Sequence, residues 1–103
     1  MNDNLTNMQN RVIRGRILKI LKTNYPYPAG EELISNILTD AQYNISPPQV
    51  NAQLIYLEEK GYVKMQEADV PGLDIFRNQA KITPKGIDLL EGNIEDDPGV
   101  DLK

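Results

Sequence analysis

The residues of this chain that could do chemistry are few in kind. It holds no histidine and no cysteine, which removes thiol nucleophiles, disulfides, the common zinc and iron ligands and the ordinary proton shuttle at neutral pH. Carboxylates remain, but Glu31-Glu32, Glu58-Glu59 and Asp96-Asp97 are sequence neighbours, and adjacent residues on a helix do not face each other as a catalytic pair must. The seven glycines stand singly, without the GxGxxG or Walker-type run that cradles a phosphate. The chain is therefore expected to be no conventional enzyme and to use no metal or other cofactor. Recognition chemistry is what remains. Gln49, Ala52, Gln53 and Tyr56 fall at i, i+3, i+4 and i+7, a single stripe if that segment is helical.

The elements that must position these residues are legible from periodicity and caps. A first helix is predicted from about Met8 to Lys22, because Ile13, Ile17, Ile20 and Leu21 recur at helical spacing. Arg11, Arg14, Lys19 and Lys22 fall opposite that stripe, with Arg16 at its margin; this face is either simply solvated or a contact for phosphate or a partner. Gly15, mid-helix, costs about 1 kcal/mol against Ala and permits close packing. Tyr25-Pro26-Tyr27-Pro28 ends the helix, since each proline removes a donor and biases the residue before it toward extended backbone. A second helix is predicted from near Gly30 to about Gln42, with Glu31 and Glu32 at its positive end, burying Leu33, Ile34, Ile37, Leu38 and Ala41.

The third helix carries the clearest start signal. Ser46 is the predicted N-cap, Pro47 takes the first helical position, Gln49 completes a capping box and Ile45 staples onto Val50. Val50, Leu54 and Leu57 then face the core, and Lys60-Gly61 ends the helix with a cation and a left-handed glycine. Val63, Met65 and Glu67 alternate with Lys64 and Gln66 as in a strand, Val70-Pro71-Gly72 reads as a turn, and a return strand follows over roughly 75–82. Thr83 and Pro84 open a last helix, with Ile82 placed to staple onto Ile87, that carries Leu89 and Leu90 to Gly92.

At 103 residues the chain fits one domain, divided as a flexible N-terminus over 1–7, a folded unit over 8–91 and an acidic, disordered tail over 92–103. That tail holds four acids and one base, so it supplies −3 of the formal charge of −4 and leaves the folded part nearly neutral. No apolar run nears the roughly 20 residues that cross a bilayer, and the amino terminus lacks a secretory pattern. A soluble, cytoplasmic protein without membrane contact is expected, in which Asn4-Leu5-Thr6 and Asn44-Ile45-Ser46 act as turn and cap residues.

Helix, helix, short turn, helix, hairpin, helix is the predicted order, a mainly α fold with a small β-hairpin. Within it YLEEKGYV at 56–63, followed after the hairpin by ITPKGIDLL at 82–90, resembles winged helix-turn-helix transcriptional regulators, over about residues 8–91. The small size is similar to that of prophage-encoded members. The resemblance implies a three-helix core, a two-stranded wing and a C-terminal helix, with the helix over 46–60 reading base edges in double-stranded DNA and the turn around Pro71-Gly72 meeting the backbone. It makes Gln49, Asn51, Ala52, Gln53, Tyr56, Lys64 and Arg77 the candidate DNA contacts, and it allows a homodimer. Gln can pair with adenine, Ala can touch a thymine methyl and Tyr can reach phosphate.

Charge argues the other way. The helix over 46–59 has no Lys or Arg, and Glu67, Asp69 and Asp74 stand in the wing without a base between them, whereas phosphate contacts depend on cations that release counterions. The rival reading is a protein-interaction module with no significant DNA affinity, using Pro48, Ala52, Ile55 and Tyr56 on the same helix. On that reading Ile55 and Tyr56 are exposed; the alternative is that they pack under the wing.

Overall fold

The computed structural model describes residues 3–70, 72 and 75–102. Among them the elements run α1 (Asp3–Asn24), β1 (Ala29–Gly30), α2 (Glu31–Asp40), α3 (Pro47–Glu59), β2 (Val63–Val70), β3 (Ile75–Ile82) and α4 (Pro84–Glu91). The hairpin β2–β3 pairs from Val63↔Ile82 to Val70↔Ile75, and β1 joins the other edge of β3 through Ala29↔Ala80 and Gly30↔Gln79, giving the sheet order β1-β3-β2. The two-residue β1 was not expected, because two residues carry no alternation; β3 recruits it. Helix α1 starts at Asp3, so residues 3–7, expected to be flexible, are helical. No described helix is long and apolar enough to cross a membrane.

One apolar core joins all layers. Ile17, Leu18 and Leu21 of α1 pack with Ile34 and Leu38 of α2, Val50, Leu54 and Leu57 of α3, Val63, Ala80 and Ile82 of the sheet and Leu89 of α4. Three helix ends share one device, in which the amide after a left-handed residue reaches back five residues and the left-handed residue's own amide reaches back three. At α3 Gly61 (φ +85°) donates to Glu58 and Tyr62 to Leu57; at α4 Gly92 donates to Leu89 and Asn93 to Asp88. At α2 the left-handed position is Gln42, φ 73°, with bonds from Gln42 to Thr39 and from Tyr43 to Leu38. The α2–α3 angle is then held by the buried Ser35, whose hydroxyl donates to the Ile45 carbonyl at 2.8 Å. The α3 cap forms as predicted: the Ser46 hydroxyl accepts from the Gln49 amide and the Ser46 amide donates to the Gln49 side chain.

Two expectations about the surface are corrected. Of the five residues assigned to the core, Ile34 and Leu38 are buried, whereas Leu33 and Ile37 are 51% and 39% exposed and Ala41 is exposed beyond the end of α2; Ser35 completes the buried face, a rotation that the apolar residues of that segment could not specify. The segment after Gly92, expected to be disordered, is packed. Val100 is buried, the Asp101 amide donates to the Arg11 carbonyl at 3.0 Å, and the Lys19 ammonium donates to the Leu102 carbonyl at 3.1 Å. Gly15 makes the contact possible, since a Cβ there would collide with the Asp101 carbonyl oxygen.

Asp97 clasps this segment. Its carboxylate accepts from the Tyr62 hydroxyl at 2.7 Å and from the Gly99 amide at 2.8 Å, and pairs with Lys60 at 3.2 Å. Burial opposes the charge on Asp97, but the hydrogen bonds from Tyr62, Gly99 and Lys60 outweigh it and hold the carboxyl below its ordinary range. Burial, with the neighbouring Asp97, pushes the Tyr62 phenol up to about 12. The Asp97 hydrogen bond and charge raise Lys60.

Candidate nucleic-acid interface

The surface of α3 divides around its axis. Val50, Leu54 and Leu57 face the core, and the exposed side is Pro48, Ala52, Ile55 and Glu59, at i, i+4, i+7 and i+11. Gln49 is exposed beside this stripe but is committed to the cap of its own helix.

Gln53 and Tyr56, predicted to share an outward face with Gln49 and Ala52, turn toward α1. The Gln53 amide accepts from Arg14 at 2.8 Å and donates to Asn10 at 3.1 Å. The Tyr56 ring is half-buried beneath the Arg14 guanidinium, 3.6 Å from its centroid. The Tyr56 hydroxyl abuts Gly99 of the C-terminal segment. Asn51 lies on the opposite flank, half-buried, with its Oδ1 enclosed and without a hydrogen-bond partner among the described residues. Of the sequence-predicted contacts on α3, only Ala52 remains both outward and uncommitted.

The wing separates its charges by strand parity. Successive side chains of a strand alternate between faces, and the register sets Lys64 opposite Lys81 and Gln66 opposite Gln79 on the face away from the buried Val63, Ala80 and Ile82. Arg77, paired with Ala68, occupies the same parity; its side chain lies outside the described set. Glu67 and Asp69 fall on the other parity, and Asp74 is outside the described residues. Lys64 and Lys81 are both exposed. Lys81 is not among the candidate contacts, although as a base near the wing it is visible in the sequence, and pairing Val63 with Ile82 at the base of the hairpin places it opposite Lys64. Beside them the Glu58 carboxylate accepts from the Met65 amide at 2.8 Å, covering part of the free edge of β2.

The bases of α1 do not form a common open face. Arg14 is engaged by Gln53, Tyr56 and the Gly99 carbonyl. Lys19 is tied to the Leu102 carbonyl, Lys22 pairs with Glu91 at 3.3 Å, and Arg11 is half-buried where its carbonyl accepts from Asp101. No described cluster of carboxylates could hold a metal ion.

The sequence matches no protein-family model and no curated protein. Its structure is similar to that of Bacillus subtilis PadR, solved in complex with operator DNA, with a TM-score of 0.64 and 17% identity over 85% of this chain. The match covers 50% of the PadR chain, so the present chain spans half that protein's length. The fold is a winged helix-turn-helix: α2 and α3 form the helix-turn-helix, β2–β3 the wing, and α4 packs behind it.

Proposed function

We propose that this protein is a DNA-binding winged-helix protein of the transcriptional-regulator kind, with α3 presented to the major groove and the Lys64–Lys81 face of the wing set against phosphates. The observation that carries this reading is the direct pairing of two exposed lysines, Lys64↔Lys81, in a strand register that puts Glu67 and Asp69 on the other parity. Like charges directly opposite each other destabilise a sheet, and a polyanion set against that face offsets the cost. The likeness to an operator-bound PadR supports the same frame. Direct readout rests on few groups: Ala52 and Ile55 suit thymine methyls, and Gln49 can reach a base only by leaving its cap. Most of the affinity is then electrostatic and modest for one domain.

The test is a titration of mixed-sequence duplex DNA at low and moderate salt. Lys64→Ala and Lys81→Ala should each lower the salt slope by about one, with little change in sequence preference, as expected for phosphate contacts. An unchanged slope, or no binding at low salt, overturns the proposal.

A second reading has one observation in its favour. The outward stripe of α3 is apolar at Pro48, Ala52 and Ile55, the last 44% exposed, and ends in Glu59, which suits a protein surface better than a phosphate. Ile55→Asp would then abolish partner binding and leave the DNA salt slope unchanged.

A further inference from the structure

The side of α1 that faces α2 carries a groove whose α1–α2 floor neither reading of α3 uses, although its far end touches Gln49 and Ala52. One stretch, an open cleft of about 430 Å³, lies between Ile20 and Thr23 of α1 and Ile37 and Ala41 of α2. The other, of about 820 Å³, lies between Met8 and Ile13 of α1 and the turn around Gln42 and Asn44, reaching α3 at Gln49 and Ala52. Tyr43 lines both, so the two clefts meet there. The α1 residues along them run from Thr6 to Thr23, roughly 25 Å of helix at about 1.5 Å per residue.

The groove has a definite chemistry. Ile13, Ile20, Ile37 and Tyr43 give it an apolar floor, Met8 at its far end is 54% exposed, and Leu33 extends the same face of α2 by one turn. The charged side chains among its described lining residues are Arg16 and Lys19. No described acid lines either cleft, in a chain with fifteen acids and eleven bases. Arg16 donates to the Tyr43 hydroxyl and Lys19 to the Leu102 carbonyl, and a guanidinium with five donors and an ammonium with three have capacity beyond those bonds. The stretch between α1 and α2 joins an apolar floor to two cations, and the other stretch continues it with Val12, Ile13 and uncharged polar side chains, a surface complementary to an amphipathic helix whose apolar stripe is flanked by carboxylates.

We propose that the α1–α2 groove docks an acidic amphipathic helix of a protein partner, its apolar face on Ile20, Ile37 and Tyr43 and its carboxylates on Arg16 and Lys19. The groove touches α3 at Gln49, Ala52 and Gln53, and its described lining does not include Lys64 or Lys81, so the interaction is separable from phosphate contacts by those two lysines.

The test is an NMR titration of the full chain with a helical peptide of about 17 residues, roughly the groove's length, with leucines at i, i+3, i+4 and i+7 and flanking glutamates. Saturable shifts confined to α1, α2, the 42–45 turn and the groove-lining residues Gln49, Ala52 and Gln53 of α3 are expected. Ile37→Asp should weaken binding at least about tenfold, as should Arg16→Glu with Lys19→Glu, and the latter variant should recover affinity for the peptide with lysine in place of glutamate. Melting curves establish that each variant is folded, and the charge-swapped pair keeps the test decisive should Ile37→Asp unfold. The proposal is overturned by the absence of saturable binding, by shifts centred on the wing, or by failure of the charge swap. A homodimer in light scattering that Ile37→Asp dissociates also overturns it, since a second copy would then be the occupant.

Discussion

The Arg14 guanidinium lies over the Tyr56 ring with its carbon 3.6 Å from the centroid, and from there donates to the Gln53 side chain and the Gly99 carbonyl. One side chain thus fastens α3 and the C-terminal segment to α1. The planar fork makes this possible, because it can stack and donate in its own plane at once, which an ammonium cannot do. Arg14→Ala should lower stability by about 1–2 kcal/mol and loosen residues 93–102, whereas Arg14→Lys should keep the charge and recover less than half of the loss. Denaturant melts with amide exchange on the tail check both; full recovery by lysine would show that charge alone mattered.

Gly15→Ala separates local helix propensity from tertiary contact. On an exposed helix face the change would stabilise by about 1 kcal/mol. Here the added Cβ meets the Asp101 carbonyl oxygen, so the expected outcome is net destabilisation with exchange protection lost over 93–102 and kept in α2 and α3. A gain in stability would mean that the C-terminal segment does not cross α1 at this point.

The Asp97 clasp sets a pH dependence at both ends of the range. Asp97 is held below its ordinary value, so its contribution is present above the unfolded carboxyl pKa of about 4 and is lost as pH falls through the lower folded value. Tyr62 is raised to about 12, so its contribution is present below the unfolded phenol pKa of about 10 and is lost as pH rises through 12. Lys60, also raised, adds to the alkaline limb. Asp97→Asn should cost about 1–2 kcal/mol at neutral pH and flatten the acid limb, and Tyr62→Phe should flatten the alkaline one. Chemical denaturation at a series of pH values measures both.

Along α3, the core and the cap should differ in weight. Leu54→Ala or Leu57→Ala should cost about 2–5 kcal/mol, since each leucine is fully buried and truncation loses both transfer and packing terms. Ser46→Ala should cost about 1 kcal/mol. Equilibrium melts in the reverse order would contradict the register of α3.

Gln42→Gly should stabilise the domain. Gln42 holds a left-handed backbone at φ 73°, a conformation that costs a residue with a Cβ about 1–2 kcal/mol, while glycine's greater unfolded-state freedom returns up to about 1 kcal/mol. The expected net gain is about 0.5–1 kcal/mol, read from thermal melts; a loss would show that Gln42 contributes contacts in the groove that outweigh its strain.

Local signals carry much of the architecture. The Ser46-Pro47-Pro48-Gln49 cap, Thr83-Pro84, Gly61, Gly92 and the strand alternation around Lys64 act within a few residues, so their consequences for helix ends and hairpin register can be read along the chain. The absence of histidine and cysteine limits the chemistry in the same direct way. Which face of each helix meets which neighbour is another kind of fact. The apolar residues Leu33, Ile34, Ile37 and Leu38 of α2 left its rotation open, and packing against α1 and α3 buried Ile34 and Leu38 while exposing Leu33 and Ile37. Gln53 and Tyr56 share a helical stripe with Ala52, yet Arg14, 39 residues from Gln53, draws them to α1. Residues 92–102 look disordered because their acids dominate the composition. The tertiary structure supplies what composition cannot show: an aspartate held by Tyr62 and Lys60, a valine in the core and a glycine on α1 that lets the backbone cross. The sequence determines the elements and their ends because those depend on short-range hydrogen bonds and sterics, and only the fold decides the surfaces because those depend on which distant side chains compete for the same partner.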